Sequence, residues 1–259
     1  MDAIVTAGGI PLPEEPLYAY TNGDSKALVE IAGKPMIQWV LDALGDARQV
    51  ENVIIIGLSS KSDVTCKKPL HFISNQGRML ANIVAGVEKS LELNPKAEYV
   101  LVASSDIPGI NAGMVDWLVE TCMQTKDDIY YGLIPREVME QRYPGSNRSY
   151  TKLKDIQLCG ADMHISHVSM ATEHLDMWEN LIGNRKSPLK QAATIGLGTL
   201  VRVATRNITL EELVTVTTKR LNITGRPIIW DCAEPGMDVD KPHQLELVRA
   251  DMEKLRLGA

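Results

Sequence analysis

Two acidic stretches far apart in the chain, a glycine pair and one lysine are the residues whose types and order could do chemistry. Asp106 follows the apolar run 99–103 in YVLVASSDIPGI, and Asp238 and Asp240 lie in Met237-Asp238-Val239-Asp240-Lys241-Pro242. A carboxylate leaving a buried strand at its carboxyl end sits where open α/β sheets bind ligands, and a second one returning from downstream completes a metal site. Ala7-Gly8-Gly9 follows another predicted strand, and glycines let a backbone approach a ligand closely because no Cβ intervenes. Lys26, near the end of that strand, places an ammonium where it stabilises charge building on a phosphoryl group. Together these residues point to a nucleotide, a divalent cation and phosphorus chemistry.

Each feature alone has an ordinary explanation. The glycine pair reads as a turn, Lys26 as a solvated charge, Asp106 as a turn cap and Asp240 as the cap of a helix from Pro242. The signal is their combination and order. Other motifs are excluded more firmly. No G-x-G-x-x-G is present, and Pro11 and Pro13 keep a helix from opening directly after strand one, which argues against a dehydrogenase-type dinucleotide site. Gly33-Lys34 is followed by Pro35, so there is no Walker loop. His164 and His167, three apart on a predicted strand, point to opposite faces and read as structural. Gln76-Gly77-Arg78 opens a predicted helix, where free amides and the dipole favour an anion.

The elements that must position these residues follow from hydrophobic periodicity. Runs 2–7, 53–58, 70–74, 99–103 and 129–134 read as strands. Between them, Met36, Ile37, Val40, Leu41 and Leu44 form one helical stripe, and Met79, Leu80, Ile83, Val84, Val87 and Leu91 a second. Met114, Val115, Leu118, Val119 and Cys122 form a third. Such alternation implies an α/β fold of three layers, with a mainly parallel, mixed sheet between helices. From about residue 135 to 225 the rhythm breaks. A strand is expected over 152–165, helices over 173–182 and 188–195, and a capping box at Thr209-Leu210-Glu211-Glu212. A strand over 227–232 and a helix from Pro242 restore the pattern. The expected organisation is a nucleotide-binding core over 1–134, an acceptor-binding insertion over 135–225, and a strand and helix over 226–259 completing the core.

The chain has 259 residues and a formal charge of −6, which argues against nucleic acid as a partner. Its four cysteines lie far apart with no Cys-x-x-Cys, fitting reduced thiols better than zinc ligands or disulfides. No leader pattern and no apolar run of about 18 residues stands out, so a cytoplasmic protein with no membrane partner is expected.

The segments AIVTAGG, SKALVEIAGKPMIQWVLDAL, QGRMLANIVAGVEKSL, VLVASSDIPGI and MDVDKPHQLELV resemble the nucleotidyltransferase superfamily with the Rossmann-like GT-A fold of nucleotide-diphospho-sugar transferases. Within it the chain is most similar to the branch holding molybdenum-cofactor guanylyltransferases and related cytidylyl- and sugar-phosphate transferases. The resemblance implies that Lys26 contacts the phosphates of a nucleoside triphosphate and that Asp106 and Asp240 hold Mg2+. It implies that Ala7, Gly8, Gly9 and Gly77 contact base and ribose, with Arg78 beside them. LCGADMHIS is similar to the acceptor-contacting strand of that family, which assigns Gly160 and Asp162 to a small phosphorylated acceptor; the family often has Asn where this chain has Asp162. The 186–190 segment also looks like a feature of that family.

The resemblance further implies an arginine in the first loop, yet residues 9–25 contain no Lys or Arg and carry Glu14, Glu15 and Asp24. Either Arg78 or Lys34 replaces it, or the triphosphate binds weakly or not at all. The expected activity is transfer of a nucleoside monophosphate with release of pyrophosphate. A non-catalytic nucleotide-binding sensor or scaffold of the same fold is the alternative, and a nucleotide-sugar glycosyltransferase ranks lower because no Asp-x-Asp stands at residue 106.

Overall fold

The computed structural model describes residues 1–175 and 196–258. In chain order its main elements are β1 (Asp2–Thr6), the hairpin β2 (Glu30–Ile31) and β3 (Lys34–Pro35), α1 (Met36–Asp46), β4 (Val53–Ile56) and β5 (Leu70–Ile73). There follow α2 (Met79–Leu93), β6 (Tyr99–Ser104), α3 (Ala112–Cys122), β7 (Ile129–Pro135) and α4 (Arg136–Arg142). Next come β8 (Thr151–Lys152), β9 (Gln157–Gly160) and β10 (Met163–His167), then α5 (Leu197–Ala204), α6 (Leu210–Leu221), β11 (Gly225–Ile229) and α7 (Pro242–Leu257). None of the described helices is long and apolar enough to cross a membrane.

The main sheet runs β5-β4-β1-β6-β10-β7, with β9 and β11 also on β7 and β8 beyond β9. β5, β4, β1 and β6 are parallel, and β10 runs antiparallel between β6 and β7. The architecture is therefore α/β with a mixed sheet covered on both faces. Alternation along each strand sorts the core: Ala3, Val5, Val53, Ile55, Leu101 and Ala103 share one cluster with α1, α3 and α7, while Ile4, Ile54, Ile56, Val100 and Val102 face Val87 of α2. All five predicted stripe residues of α1 are fully buried. Met79 is not, being 53% exposed in the first turn of α2, ahead of the part that meets the sheet.

α2 lies close on the sheet because Gly86 has no side chain. A Cβ there would sit 2.6 Å from Ile4 Cγ2 and 2.9 Å from Ile56 Cδ1. Alanine normally stabilises a helix interior over glycine by about 1 kcal/mol, but forced overpacking costs about 1–3 kcal/mol. Gly86→Ala is therefore expected to lower the denaturant midpoint, and a raised midpoint would show that the helix can lift off freely.

The expected strand over 152–165 is divided into β8, β9 and β10. β9 and β10 run antiparallel along the same strand, β7, with Gly160 opposite Leu133 and Ile165 opposite Tyr130. Residues 161–164 thus face only residues 131–132, a bulge with two extra residues in which Ala161 N still donates to Gly132 O at 3.0 Å. The stretch 135–225 contributes β8, β9 and β10 to the sheet, β10 between β6 and β7. The capping box forms at Thr209 and Glu212. Helix expectations over 188–195, most of 173–182 and the 186–190 segment lie outside the described residues.

Candidate functional site

Strand order reverses at β1. The chain moves outward through β4 and β5, then returns to place β6 on the other side of β1. Ligands bind outside the carboxyl ends of strands at such a point. Gly8 and Gly9 leave β1 there and Asp106 leaves β6, with Ser105 N donating to Thr6 O at 3.1 Å to prolong the pairing past the strand ends.

Lys26 opens a short 3-10 turn, Lys26–Leu28, fastened to the glycine loop. Its N donates to Gly9 O at 2.9 Å, and buried Ser25 caps the turn while its Oγ donates to Ala7 O at 2.8 Å. The side chain passes so close that a Cβ on Gly9 would meet Lys26 Cε at 3.2 Å. Its Nζ ends between two carboxylates, 2.5 Å from Asp106 Oδ2 and 2.6 Å from Asp240 Oδ1. Asp106 also accepts a hydrogen bond from Ser104 Oγ. Asp240 arrives because Val239 N donates to Asp106 O at 3.0 Å and Gln244 Oε1 accepts from Asp240 N at 3.0 Å. Burial works against charge on Lys26, but Asp106 and Asp240 outweigh it and hold the ammonium above the usual lysine range. Burial likewise opposes the Asp240 carboxylate, and Lys26 more than offsets this, leaving it below the usual carboxylate range.

Opposite Gly8 is the loop between β5 and α2. Asn75 Nδ2 donates to Gly8 O at 2.9 Å, and a Cβ on Gly8 would lie 2.8 Å from that nitrogen. Asn75 Oδ1 accepts from Gly77 N at 2.9 Å, and Asn82 Oδ1 from Gln76 N at 2.7 Å. Gly77 has φ +80° with open space around it, a conformation glycine adopts freely. Arg78 stands exposed at the N-cap of α2. Lys34 is given to Asp42 and lies 3.6 Å from the Trp39 ring centroid on α1.

On the other side of Asp106, the bulge re-aims Asp162. Its O accepts from Ser104 N at 2.9 Å and its N donates to Pro235 O at 2.7 Å. Gly160 lies under Tyr131, whose hydroxyl would be 3.0 Å from a Cβ there. Arg148 Nη2 is 3.6 Å from Asp162 Oδ2, and Arg148 Nη1 pairs with Asp238. Sequence reasoning passed over Arg148, Asn75 and Gln244. Arg148 directly follows the Pro144-Gly145-Ser146-Asn147 turn, the one local hint available. The cluster brings four carboxyl groups together with two cations, Lys26 and Arg148. Asp106 and Asp240 aim hard oxygen donors at one point, which suits magnesium: that ion commonly takes one or two carboxylates and completes its shell with phosphates and water. Among the described residues no group of three or more His, Cys, Asp or Glu is arranged to cage a metal. The two histidines go to aromatic contacts: His164 stacks on Tyr131 at 4.5 Å and His167 meets Tyr99 edge-on at 5.0 Å.

Burial pushes the Asp162 carboxyl up to about 7, reinforced by Asp106 and Asp240 and opposed by Arg148 and Lys26. Burial pushes the His164 imidazole down to about 4. The two act oppositely on stability. Folded Asp162 keeps its proton well above 3.8, its ordinary value, so its contribution drains as pH rises from about 4 to 7. Folded His164 resists the proton that an unfolded histidine takes near 6.5, so its contribution is complete above that pH and drains as pH falls toward 4. The Asp162→Asn protein is expected to gain melting temperature relative to wild type as pH rises through the first window. Because 35% of the Asp162 side chain reaches solvent, screening trims the effect. Melting curves that stay parallel at every pH would dismiss the shift.

Known proteins share this fold. The family model of the MobA-like NTP transferase domain matches residues 20–185. A probable molybdenum cofactor guanylyltransferase of Thermococcus sibiricus is 29% identical over 98 residues, which are 38% of this chain and 48% of that protein. The chain thus spans about half the length of the curated relative it matches. A hypothetical transferase of Thermus thermophilus superposes with TM-score 0.81 at 25% identity, over 94% of this chain and 98% of the other. A CMP:2-keto-3-deoxy-manno-octonic acid synthetase complexed with CTP gives TM-score 0.63 at 15% identity, over 98% of each chain, and so shares the fold. A 2-C-methyl-D-erythritol 4-phosphate cytidylyltransferase, also of Thermus thermophilus, shares it too, with TM-score 0.53 at 12% identity over 97% of this chain and 98% of that one.

Proposed function

The chain belongs to the MobA-like NTP transferase family, and from that membership we propose that it is a magnesium-dependent nucleotidyltransferase. It would transfer a nucleoside monophosphate from a nucleoside triphosphate to a phosphorylated small-molecule acceptor, releasing pyrophosphate. The observation that carries this reading is the convergence of Asp106 and Asp240 on Lys26 Nζ beside the glycine loop.

Magnesium would be held by Asp106 and Asp240, and when bound it supplies Lewis-acid stabilisation and a template for the phosphates. Phosphorus transfer of this kind asks the protein for alignment and charge neutralisation more than for covalent work. Gly77 leaves its backbone open to base and ribose, while Gly8 and Gly9 let Asn75 and Lys26 pack close against the loop that would take them. Lys26, kept charged by its two carboxylates, would set its ammonium against the charge that builds on the α-phosphate. Asp162, on the far side of Asp106 from the glycine loop, faces the acceptor.

A thermal-shift panel of nucleoside triphosphates with magnesium, followed by a coupled pyrophosphate assay, tests the reading. Stabilisation by at least one triphosphate and pyrophosphate release are expected. The cation-free first loop, residues 9–25, favours one competing reading, a scaffold of the same fold. No response to any nucleotide would decide for it.

A further inference from the structure

We propose that Arg148 anchors the phosphate of the acceptor, an inference that rests on the nucleotidyltransferase reading. Arg148 is largely enclosed, with 15% of its side chain exposed, and an arginine carries five N–H donors that a buried site must satisfy. Here Nη1 is ion-paired with Asp238, and the guanidinium also meets the Cys159 thiol. Nη2 is 3.6 Å from Asp162 Oδ2, beyond hydrogen-bond length, and Nε is buried with no hydrogen-bond partner among the described residues. Asp162 Oδ2 is likewise unpartnered among them. The incomplete edge of the guanidinium, Nε with Nη2, is the fork that takes a phosphate in two parallel hydrogen bonds.

The order of strands says which phosphate. The glycine loop follows β1 and the Asn75–Gly77 loop follows β5, so both lie on the β1-β4-β5 half of the sheet. Asp162 lies between β9 and β10, on the opposite half, with Lys26, Asp106 and Asp240 between the two groups. A donor nucleotide on the first half puts its reacting phosphorus at the centre, and the group beyond it belongs to the acceptor. Arg148 is also built into the site. Its loop is shaped by Gly145 at φ +77° and Asn147 at φ +53°, and the O of fully buried Ser146 accepts from His243 Nε2 at 3.1 Å and Gln244 Nε2 at 3.3 Å. Gln244 is the same side chain that holds Asp240 N, so the first turn of α7 fixes the anchor and the central carboxylate together.

The test titrates glycerol 3-phosphate, a phosphomonoester probe, and lactate, a carboxylate probe, into the full chain with and without magnesium and the triphosphate that stabilises it. Glycerol 3-phosphate is expected to bind the wild type, and Arg148→Met to weaken it by about tenfold or more while leaving the nucleotide-induced melting shift unchanged. Arg148→Lys, which keeps the charge and loses the fork, should fall between them. If Arg148→Met strands Asp238 and fails to fold, the Arg148→Met/Asp238→Asn double variant carries the same readout. Equal glycerol 3-phosphate affinity in wild type and variants overturns the anchor, as does binding of lactate in preference. A wild type that no nucleotide stabilises defeats the nucleotidyltransferase reading instead, so the two failures are distinct.

Discussion

Asp106→Asn is expected to reduce pyrophosphate release on the order of 10²–10³-fold while leaving a folded protein with near-wild-type circular dichroism. Asparagine keeps the shape of the side chain, and Ser104 Oγ still finds an oxygen to donate to. Lys26 retains Asp240 at 2.6 Å, so no cation is stranded in the interior. What disappears is one of two negative oxygens aimed at a common point. That loss falls on a cation shared with the phosphates, where charge builds during transfer, more than on the resting fold. Steady-state turnover within tenfold of wild type would remove Asp106 from the centre of the reaction. An unfolded Asp106→Asn protein would instead assign the carboxylate a structural task, because its residue is 4% exposed and sits against the ammonium.

The central triad was legible in sequence because each member sits at a boundary that periodicity marks. Asp106 ends the longest buried parallel run, Lys26 precedes the apolar stretch before the β2–β3 hairpin, and Asp240 stands just ahead of the α7 proline. Strand ends are visible as changes of pattern, and the helices α1 and α2 make the crossovers from β1 to β4 and from β5 to β6 parallel, although no helix joins β4 to β5. The acceptor side was less legible for a physical reason. Where β9 gives way to β10 is set by how each pairs with β7, a long-range register that leaves no periodic trace in Gln157–His167. The residues 152–165 therefore read as one strand, although the two-residue bulge is what re-aims Asp162. Arg148 was missed similarly. Its neighbours on the chain are turn residues, and its place depends on Gln244 and His243, almost a hundred positions downstream.

Lys26→Met should separate catalysis from cation binding more sharply than any other substitution. The ammonium occupies the point at which Asp106 and Asp240 aim, and both carboxylates hold it there. Removing it leaves Asp106, 6% exposed at its side chain, facing a second carboxylate with no counter-ion between them. Breaking a buried pair from one side costs about 3–5 kcal/mol, less here because 54% of the Asp240 side chain reaches solvent and can turn toward it. The melting temperature is expected to fall at neutral pH and to recover in acid, where protonation relieves the repulsion. It should also recover with Mn2+, which would enter the place the ammonium vacates. Turnover should drop on the order of 10²–10³-fold, since the charge that met the α-phosphate is gone. Mn2+ affinity in the absence of nucleotide, read by electron paramagnetic resonance, should rise over wild type for the same reason that turnover falls. Equal Mn2+ affinity in the two proteins would mean that the carboxylates serve only to hold the lysine, and the shared cation at the switch point between β1 and β6 would then be Lys26 itself.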